Sequence, residues 1–452
     1  MSRGGEPGGK QQATRRTVRK TERTAKAPQR GLTPSPSRRK DRVREAAIFV
    51  ISPDGQMDEA GLYSAFAVLR SQAPVYRVEC PGMRPFWLVS RYADVMAVEA
   101  RGAPFVAAPR SVLSSEAGEA SIRQISGKPD VLRSLFQMDK LEHRAYREIA
   151  RSWFSKPEVG NLEVLAMDLA RQFVSRMPGN GKAFDFAREV AVPFPLRLMM
   201  HILGLPEADD PLIVKLANGL TGAEDPKRAL SDNPAESIRL SGIAFREYFN
   251  KVTADRRLHP RADLSTVIAS ACIFGKPIPD YERLSYFIQL AIAGQENTAY
   301  AIAGGLQALL DHPDQMSKLV LDPTLLETAI DEILRWTSPG RHLVRTATTD
   351  TDVGGQRIRA GDAVALFFAS ANRDETVFSS PEKFEVDRQP NPHLAFGSGP
   401  HFCLGVHLAR LELRAIFGAL MRDLPRISSA GTPRRARSAV ISGISSLPVR
   451  LA

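Results

Sequence analysis

The chain has 452 residues, 43% of them hydrophobic and 25% charged, which is ordinary for a soluble globular protein and gives material for a sizeable core. No signal peptide is expected, since no apolar stretch follows the first basic residues. No membrane span is expected either, because Gln295, Glu296 and Asn297 break the longest apolar region, Leu284–Leu310. Three cysteines (Cys80, Cys272 and Cys403) at unrelated spacings exclude a disulfide framework and a zinc pattern and fit a reducing cytoplasm.

The net charge of +11 is unevenly placed. Residues 1–40 carry twelve Lys and Arg against Glu6 and Glu22, a net +10, so the other 412 residues sit at +1. Residues 1–45 are expected to form a disordered basic arm, too poor in large apolar side chains to offset its ordering entropy. Such an arm can serve nucleic acid, an anionic membrane or organelle import. A solvated tail or an upstream start codon is the preferred reading, so nucleic acid is not an expected partner. Residues 46–452 show no repeat or linker and read as a single domain. Val75–Cys80 and Pro85–Ser90 read as two short strands about a Pro81-Gly82 turn, and Arg91–Ala100 as a helix. From Glu142 to Leu310 the pattern is mostly helical, punctuated at Gly204–Pro206, Pro226 and Pro277–Pro279, with Leu284–Leu310 as a buried core helix. Leu343–Thr348 and Ala363–Phe368 read as strands on either side of a hairpin-like Asp352–Gly361. A loop, a helix from Leu404 to about Leu420 and a β-like tail at Leu447–Arg450 complete the chain. The fold class is mainly α with a small β-sheet region, without the βαβ alternation of a nucleotide-binding fold.

The most informative stretch is Phe396-Gly397-Ser398-Gly399-Pro400-His401-Phe402-Cys403-Leu404-Gly405. Its glycines let the loop curl tightly. Cys403 then stands where a helix begins, and the free N–H groups and positive dipole end of that helix favour an anionic sulfur and lower its pKa. A thiolate is what a metal needs, and Phe396 can lie against a flat cofactor. On the residues alone, a buried inert cysteine and a nucleophile served by His401 stay open. The stretch resembles the signature loop of the cytochrome P450 family, Phe-x-x-Gly-x-Arg/His-x-Cys-x-Gly, at Phe396, Gly399, His401, Cys403 and Gly405. Gly397 and Leu404 also agree with its bacterial form. The resemblance implies that Cys403 is the axial ligand to haem iron, with electron donation that favours O–O cleavage. Phe396, His401 and Gly405 would belong to the cofactor-binding loop.

Three further motifs follow in the family's order. Glu332-Ile333-Leu334-Arg335 resembles its Glu-x-x-Arg, with both charges on one helix face. Arg388 stands where the family closes a buried structural network with that pair. His143 and Arg147, four apart on one predicted helix face, resemble a pair that binds a haem propionate. Arg345 resembles another propionate ligand and His401 one more, cationic donors being suited to a carboxylate. Ala293-Gly294-Gln295-Glu296-Asn297-Thr298 resembles the motif over the distal haem face, where the glycine leaves space for dioxygen beside a locally opened helix. Glu296 matches the family's acid. Asn297 departs from the pattern, standing where a Thr is usual, and Thr298 follows one position later. Glu296, Asn297 and Thr298 are therefore the catalytic candidates for proton delivery. Ala293, Gly294, His342, Leu343 and Val344 are expected to border the substrate.

The resemblance covers residues 46–452 and implies the cytochrome P450 fold with haem b (iron protoporphyrin IX). The implied reaction inserts one atom of O2 into a small hydrophobic substrate, terpenoid, steroid or fatty-acid-like. Electrons would come from a separate ferredoxin or flavodoxin and its reductase, since no flavin or reductase domain follows. Arg144, Arg151, Arg410 and Arg414 form a candidate docking face for an acidic partner. Two alternatives remain at this level. One is a haem-thiolate isomerase or dehydratase, kept alive by Asn297; the other is a haem-binding sensor whose only support is the basic arm. The protein is expected in the cytoplasm.

Overall fold

Helix boundaries follow the local chemistry of the chain. The computed structural model describes residues 36–101, 104–127, 131–438 and 440–452. Its principal helices are α1 (Pro36–Ile51), α2 (Glu59–Gln72), α3 (Tyr92–Arg101), α4 (Lys140–Arg151), α5 (Glu163–Ser175), α6 (Pro193–Ile202), α7 (Asp210–Thr221), α8 (Pro234–Leu258), α9 (Asp280–Ala293), α10 (Glu296–Asp311), α11 (Leu326–Thr337) and α12 (Val406–Leu420). Asp58 caps α2 by accepting from the Gly61 N–H. Asn233 caps α8 by accepting from Ala235 and Glu236, with Pro234 in the first turn, where a missing N–H costs nothing.

Five strands form the main sheet: β1 (Val75–Val78), β2 (Phe86–Val89), β3 (Phe105–Val106), β4 (His342–Ala347) and β5 (Ala363–Phe367), in the order β1-β2-β5-β4-β3. β5 runs parallel to β2, with Ala363 opposite Phe86, and antiparallel to β4, with Val364 opposite Arg345. Every residue of β2 and β5 is buried, so both read as continuous apolar runs rather than alternating ones. One sheet face packs Leu88, Val344, Ala365 and Phe367 against Leu62, Phe66 and Leu69 of α2. The other packs Trp87, Val364 and Leu366 against Val95 and Val98 of α3. The largest core lies among the helices, where α5, α6, α9, α10, α11 and α12 share one buried cluster. A smaller sheet joins Ala183–Asp185, Pro448–Leu451 and Ile427–Ser429.

The expected strands, the helix after them and the hairpin-like segment are present, the last as Thr351–Val353 paired with Gln356–Ile358. Two expectations are corrected. Residues 36–45, assigned to a disordered arm, are helical and belong to α1; the rest of that arm, residues 1–35, lies outside the described residues. Val43, Ala46, Ala47 and Val50 form an apolar stripe at helical spacing that buries against the α2 side of the sheet, a signal drowned by the surrounding arginines. Leu284–Leu310 is not one helix. It breaks between α9 and α10 at Gly294-Gln295, and that break helps to build the site.

Candidate active site around Cys403

The loop before α12 curls as its glycines predict. Gly397 and Gly399 take φ of 68° and 64°, the left-handed region that disfavours a Cβ. The Phe402 N–H donates to the Gly399 carbonyl at 3.0 Å and the Cys403 N–H to the Phe396 carbonyl at 2.9 Å, which closes the loop on itself. α12 begins at Val406, three residues past the cysteine. Cys403 as a residue is half-buried, with its sulfur faced by the Gly405 N–H and by the Arg147 guanidinium of α4. Arg147 also donates from Nη2 to the Phe402 carbonyl at 2.6 Å, which ties α4 to the loop. The expected depression of the thiol pKa is corrected. Burial pushes it up, and the Gly405 N–H and Arg147 recover only part of that rise. A bound metal cation would supply the rest, because a coordinating thiol is deprotonated outright.

A Cβ on Gly399 would lie 2.5 Å from the Glu99 carbonyl oxygen of α3, a backbone atom that cannot swing away. Gly399→Ala is therefore expected to push the loop off α3. Overpacking and left-handed strain together should cost roughly 2–4 kcal/mol, read as a lower midpoint of thermal unfolding and a reduced haem-to-protein ratio in the purified variant.

Cationic and imidazole groups gather beside this loop. The His143 and His401 rings lie 4.2 Å apart. Asp139, at the start of α4, accepts from the N–H groups of Ala107 and Ala108 at 2.8 and 3.0 Å, and His401 Nε2 stands 3.8 Å from it. Burial alone would raise the Asp139 pKa, but His401 and the two N–H groups outweigh it and hold it at about 2. His143 is depressed from the usual 6.5 to about 4, by burial first and then by His401 and Arg147. The expectation of a cationic His143 is thus corrected: near neutral pH it is a neutral imidazole that can donate one N–H, and positive charge comes from Arg147 and Arg345. The folded value lies below the unfolded one, so between pH 6.5 and about 4 the unfolded chain binds the extra proton and stability falls as pH drops. His143→Phe should flatten that slope in pH-dependent denaturation, and the His143 ring should not titrate between pH 5.5 and 8 by NMR. Arg345 of β4 places Nη2 2.8 Å from the buried Glu99 carboxylate.

At the helix break, α9 ends at Ala293 and α10 begins at Glu296. Gly294 lies at this break. Its absent Cβ would lie 2.3 Å from the Met199 Cε of α6, so the glycine admits the Met199 side chain on the side where its Cβ would project. Glu296 Oε1 accepts from Arg228 Nη2 at 2.5 Å and from the Thr221 and Tyr300 hydroxyls at 3.1 Å each. Arg228 also donates to Asn218, Tyr300 and Thr221, and so ties the segment between α7 and α8 to the start of α10. The side chains of this ion pair are only 10% and 8% exposed, and several hydrogen bonds satisfy them. Gln295 Oε1, Glu296 Oε2 and Asn297 Oδ1 are buried acceptors without a hydrogen-bonding partner. Three such orphans in consecutive residues call for a donor such as water or a hydroxyl-bearing ligand.

Thr298 turns the other way and meets Glu412 of α12, a residue missed in the sequence. Glu412 is fully buried. Burial drives its pKa well above the ordinary carboxylate value, and the Thr298 hydroxyl beside it offsets only part of that rise. Neither Glu412 oxygen has a well-aligned hydrogen bond, so little offsets the cost of charging it there, and burial favours its protonated form. A signal existed: Glu412 falls among Leu408, Leu411, Leu413 and Ile416 on the apolar part of a helix, where a lone acid demands an explanation.

Glu332, Arg335 and Arg388 come together in full. Arg335 donates to both Glu332 oxygens at 2.7 and 2.8 Å, and Arg388 Nε reaches the same carboxylate at 3.1 Å. The Glu385 N–H and the Asn391 amide complete its shell at 2.9 and 3.1 Å. The guanidiniums spend their remaining hydrogens on the carbonyls of Asn372, Ser379, Pro381 and Lys383, which pins the chain that leads into the cysteine loop. Of the residues expected to border a substrate, His342 accepts from the Leu113 N–H and lies against Phe367. Leu343 packs toward the α3 cluster, and Val344 is a core residue on the α2 face. Of the docking arginines, Arg151, Arg410 and Arg414 are engaged by Glu148, Asp331 and Glu327, while Arg144 is exposed.

The donor set fits a haem. A sulfur faced by an N–H and a guanidinium suits an iron ligand, and Arg147, Arg345 and the two imidazoles suit a pair of carboxylates. Comparison with known proteins bears on the same site. A family model described as Cytochrome P450 matches residues 322–425, the span that holds Glu332, Arg388 and Cys403. The chain is 36% identical over 410 residues to cytochrome P450-terp of a Pseudomonas species, covering 89% of this chain and 96% of that protein. It is 34% identical to a methyl-branched lipid omega-hydroxylase of Mycobacterium bovis, covering 85% and 90% respectively. The crystal structure of a P450 from Novosphingobium aromaticivorans superposes with a TM-score of 0.83 at 36% identity, covering 90% of this chain and 98% of that one.

Proposed function

We propose that this chain, which belongs to the cytochrome P450 family, delivers protons through Glu296, Thr298 and Glu412 and takes electrons from a separate ferredoxin or flavodoxin and its reductase. It is a P450 monooxygenase with haem b as its cofactor, acting on hydrophobic substrates. When bound, the haem supplies the activation of dioxygen and the insertion of one oxygen atom into a C–H bond, while the protein supplies ligand, orientation and protons. Cys403 would hold the iron. Arg147, Arg345, His143 and His401 would hold the propionates, with Phe396 and Gly405 in the same loop. Ala293, Gly294, His342 and Leu343 would border the substrate, a terpenoid, steroid or methyl-branched fatty chain, in a protein of the cytoplasm. Its three cysteines are free, which agrees with that compartment.

The observation that carries the proton assignment is the Thr298 hydroxyl against the fully buried Glu412 of α12, where burial favours the protonated form of the carboxyl. A hydroxyl can accept and donate at once, so Thr298 can pass on the Glu412 proton and be refilled. That would supply the function Asn297 lacks and would weaken the case for an isomerase or dehydratase. Glu296 works from the other side. Its Oε1 is anchored by Arg228, while Oε2 stays free of partners and able to hold a proton from water. The test is the ratio of oxygenated product to reductant consumed, on a panel of terpenoids, steroids and branched fatty acids. Thr298→Ala and Glu412→Gln should lower that ratio severalfold and Asn297→Ala should leave it near wild type; the reverse pattern would assign the relay to Asn297.

A further inference from the structure

Glu99 is a buried carboxylate on α3, beside the cysteine loop, that the mechanism does not use. Its side chain is 1% exposed and that of its partner Arg345 is 6% exposed. The contact is close, 2.8 Å from Glu99 Oε1 to Arg345 Nη2, yet neither atom has a well-aligned hydrogen bond. The aligned bond of Arg345 runs from Nη1 to the Val344 carbonyl at 3.0 Å. A guanidinium carries five donors in a rigid fork, so Arg345 keeps Nη2 hydrogens for a second acceptor. Glu99 also reaches the loop, since its Oε2 lies 3.8 Å from where a Cβ on Gly397 would be and its backbone carbonyl abuts Gly399.

We propose that Glu99 shares Arg345 with a haem propionate, and that this sharing sets the iron reduction potential and the rate of haem release. The inference rests on Arg345 meeting a propionate. Two carboxylates then divide one guanidinium in a low-dielectric setting, where each weakens the other's pairing. The surplus negative charge favours the ferric over the ferrous state, and competition from Glu99 loosens the propionate. Glu99 acts through Arg345 and is a positioning residue.

The experiment compares wild-type holoenzyme with Glu99→Gln, Glu99→Asp and Arg345→Gln. It reads the ferric/ferrous midpoint by spectroelectrochemical titration and the rate of haem transfer to excess apomyoglobin. Glu99→Gln should raise the potential by the equivalent of about a tenfold change in the reduction equilibrium, about 59 mV for one electron. It should also slow haem transfer severalfold, while Glu99→Asp stays near wild type and Arg345→Gln speeds transfer. An unchanged potential in Glu99→Gln, faster haem loss or failure of that variant to hold haem would overturn the proposal and leave Glu99 a structural partner of Arg345. Unchanged transfer in Arg345→Gln would overturn the propionate assignment itself, and the proposal with it.

Discussion

Glu332→Ala is expected to cost about 3–5 kcal/mol and to yield protein that does not retain haem, because removing one partner of a buried charge network strands the others. Glu332 and Arg335 are fully buried, and the carboxylate takes donors from Arg335, Arg388, Glu385 and Asn391. Deleting it leaves Arg335 without its buried counter-charge and Arg388 with only the more exposed Glu385 carboxylate at 2.7 Å, although their carbonyl contacts remain. Those carbonyls belong to the segment that enters the cysteine loop, so the damage travels to Cys403 through backbone rather than through space. Urea denaturation of the apoprotein and haem content after gel filtration measure the two effects. A loss below about 1 kcal/mol with full haem retention would mean that the network is decoration, in the manner of an exposed ion pair.

Glu296→Gln should leave the fold intact and reduce substrate turnover by about 10²-fold, the scale of losing one positioned proton-transfer group. A glutamine side chain keeps an acceptor for Arg228 Nη2, Thr221 and Tyr300, so the tie between α10 and the α7–α8 segment survives. What disappears is the carboxylate oxygen Oε2, which is without a partner and is the atom proposed to carry the proton. The check is steady-state product formation beside the substrate-induced spectral change. Binding should stay near wild type while turnover falls and its solvent deuterium isotope effect grows. Turnover within twofold of wild type would remove Glu296 from the proton path and leave it as a structural counter-ion.

The parts of this site that were legible in the sequence are those written in short-range spacing. The two glycines and Cys403 define a loop within ten residues, and Glu332 with Arg335 share one helix face. Arg388 could be assigned because the family order supplies what spacing alone does not. Less was legible where the outcome depends on tertiary neighbours. That Met199 of α6 packs where a Gly294 Cβ would project depends on a side chain 95 positions away. Glu412 is silent until α12 is laid against Thr298, and the neutral state of His143 arises from burial together with His401 and Arg147, which arrive from other parts of the chain. α1 escaped notice because arginines dominate its composition although its apolar stripe is regular. The thiol shows two local effects in competition. The helix N-terminus pulls its pKa down as the motif suggests, and desolvation pushes harder the other way.

The central claim is that Cys403 is the thiolate ligand of a haem iron, and the most direct measurement is the absorption spectrum of the dithionite-reduced protein with carbon monoxide, for wild type and Cys403→Ala. A strongly red-shifted Soret band in wild type that disappears in the variant is the predicted result. Absence of bound haem, or a histidine-type band indifferent to Cys403→Ala, would contradict it.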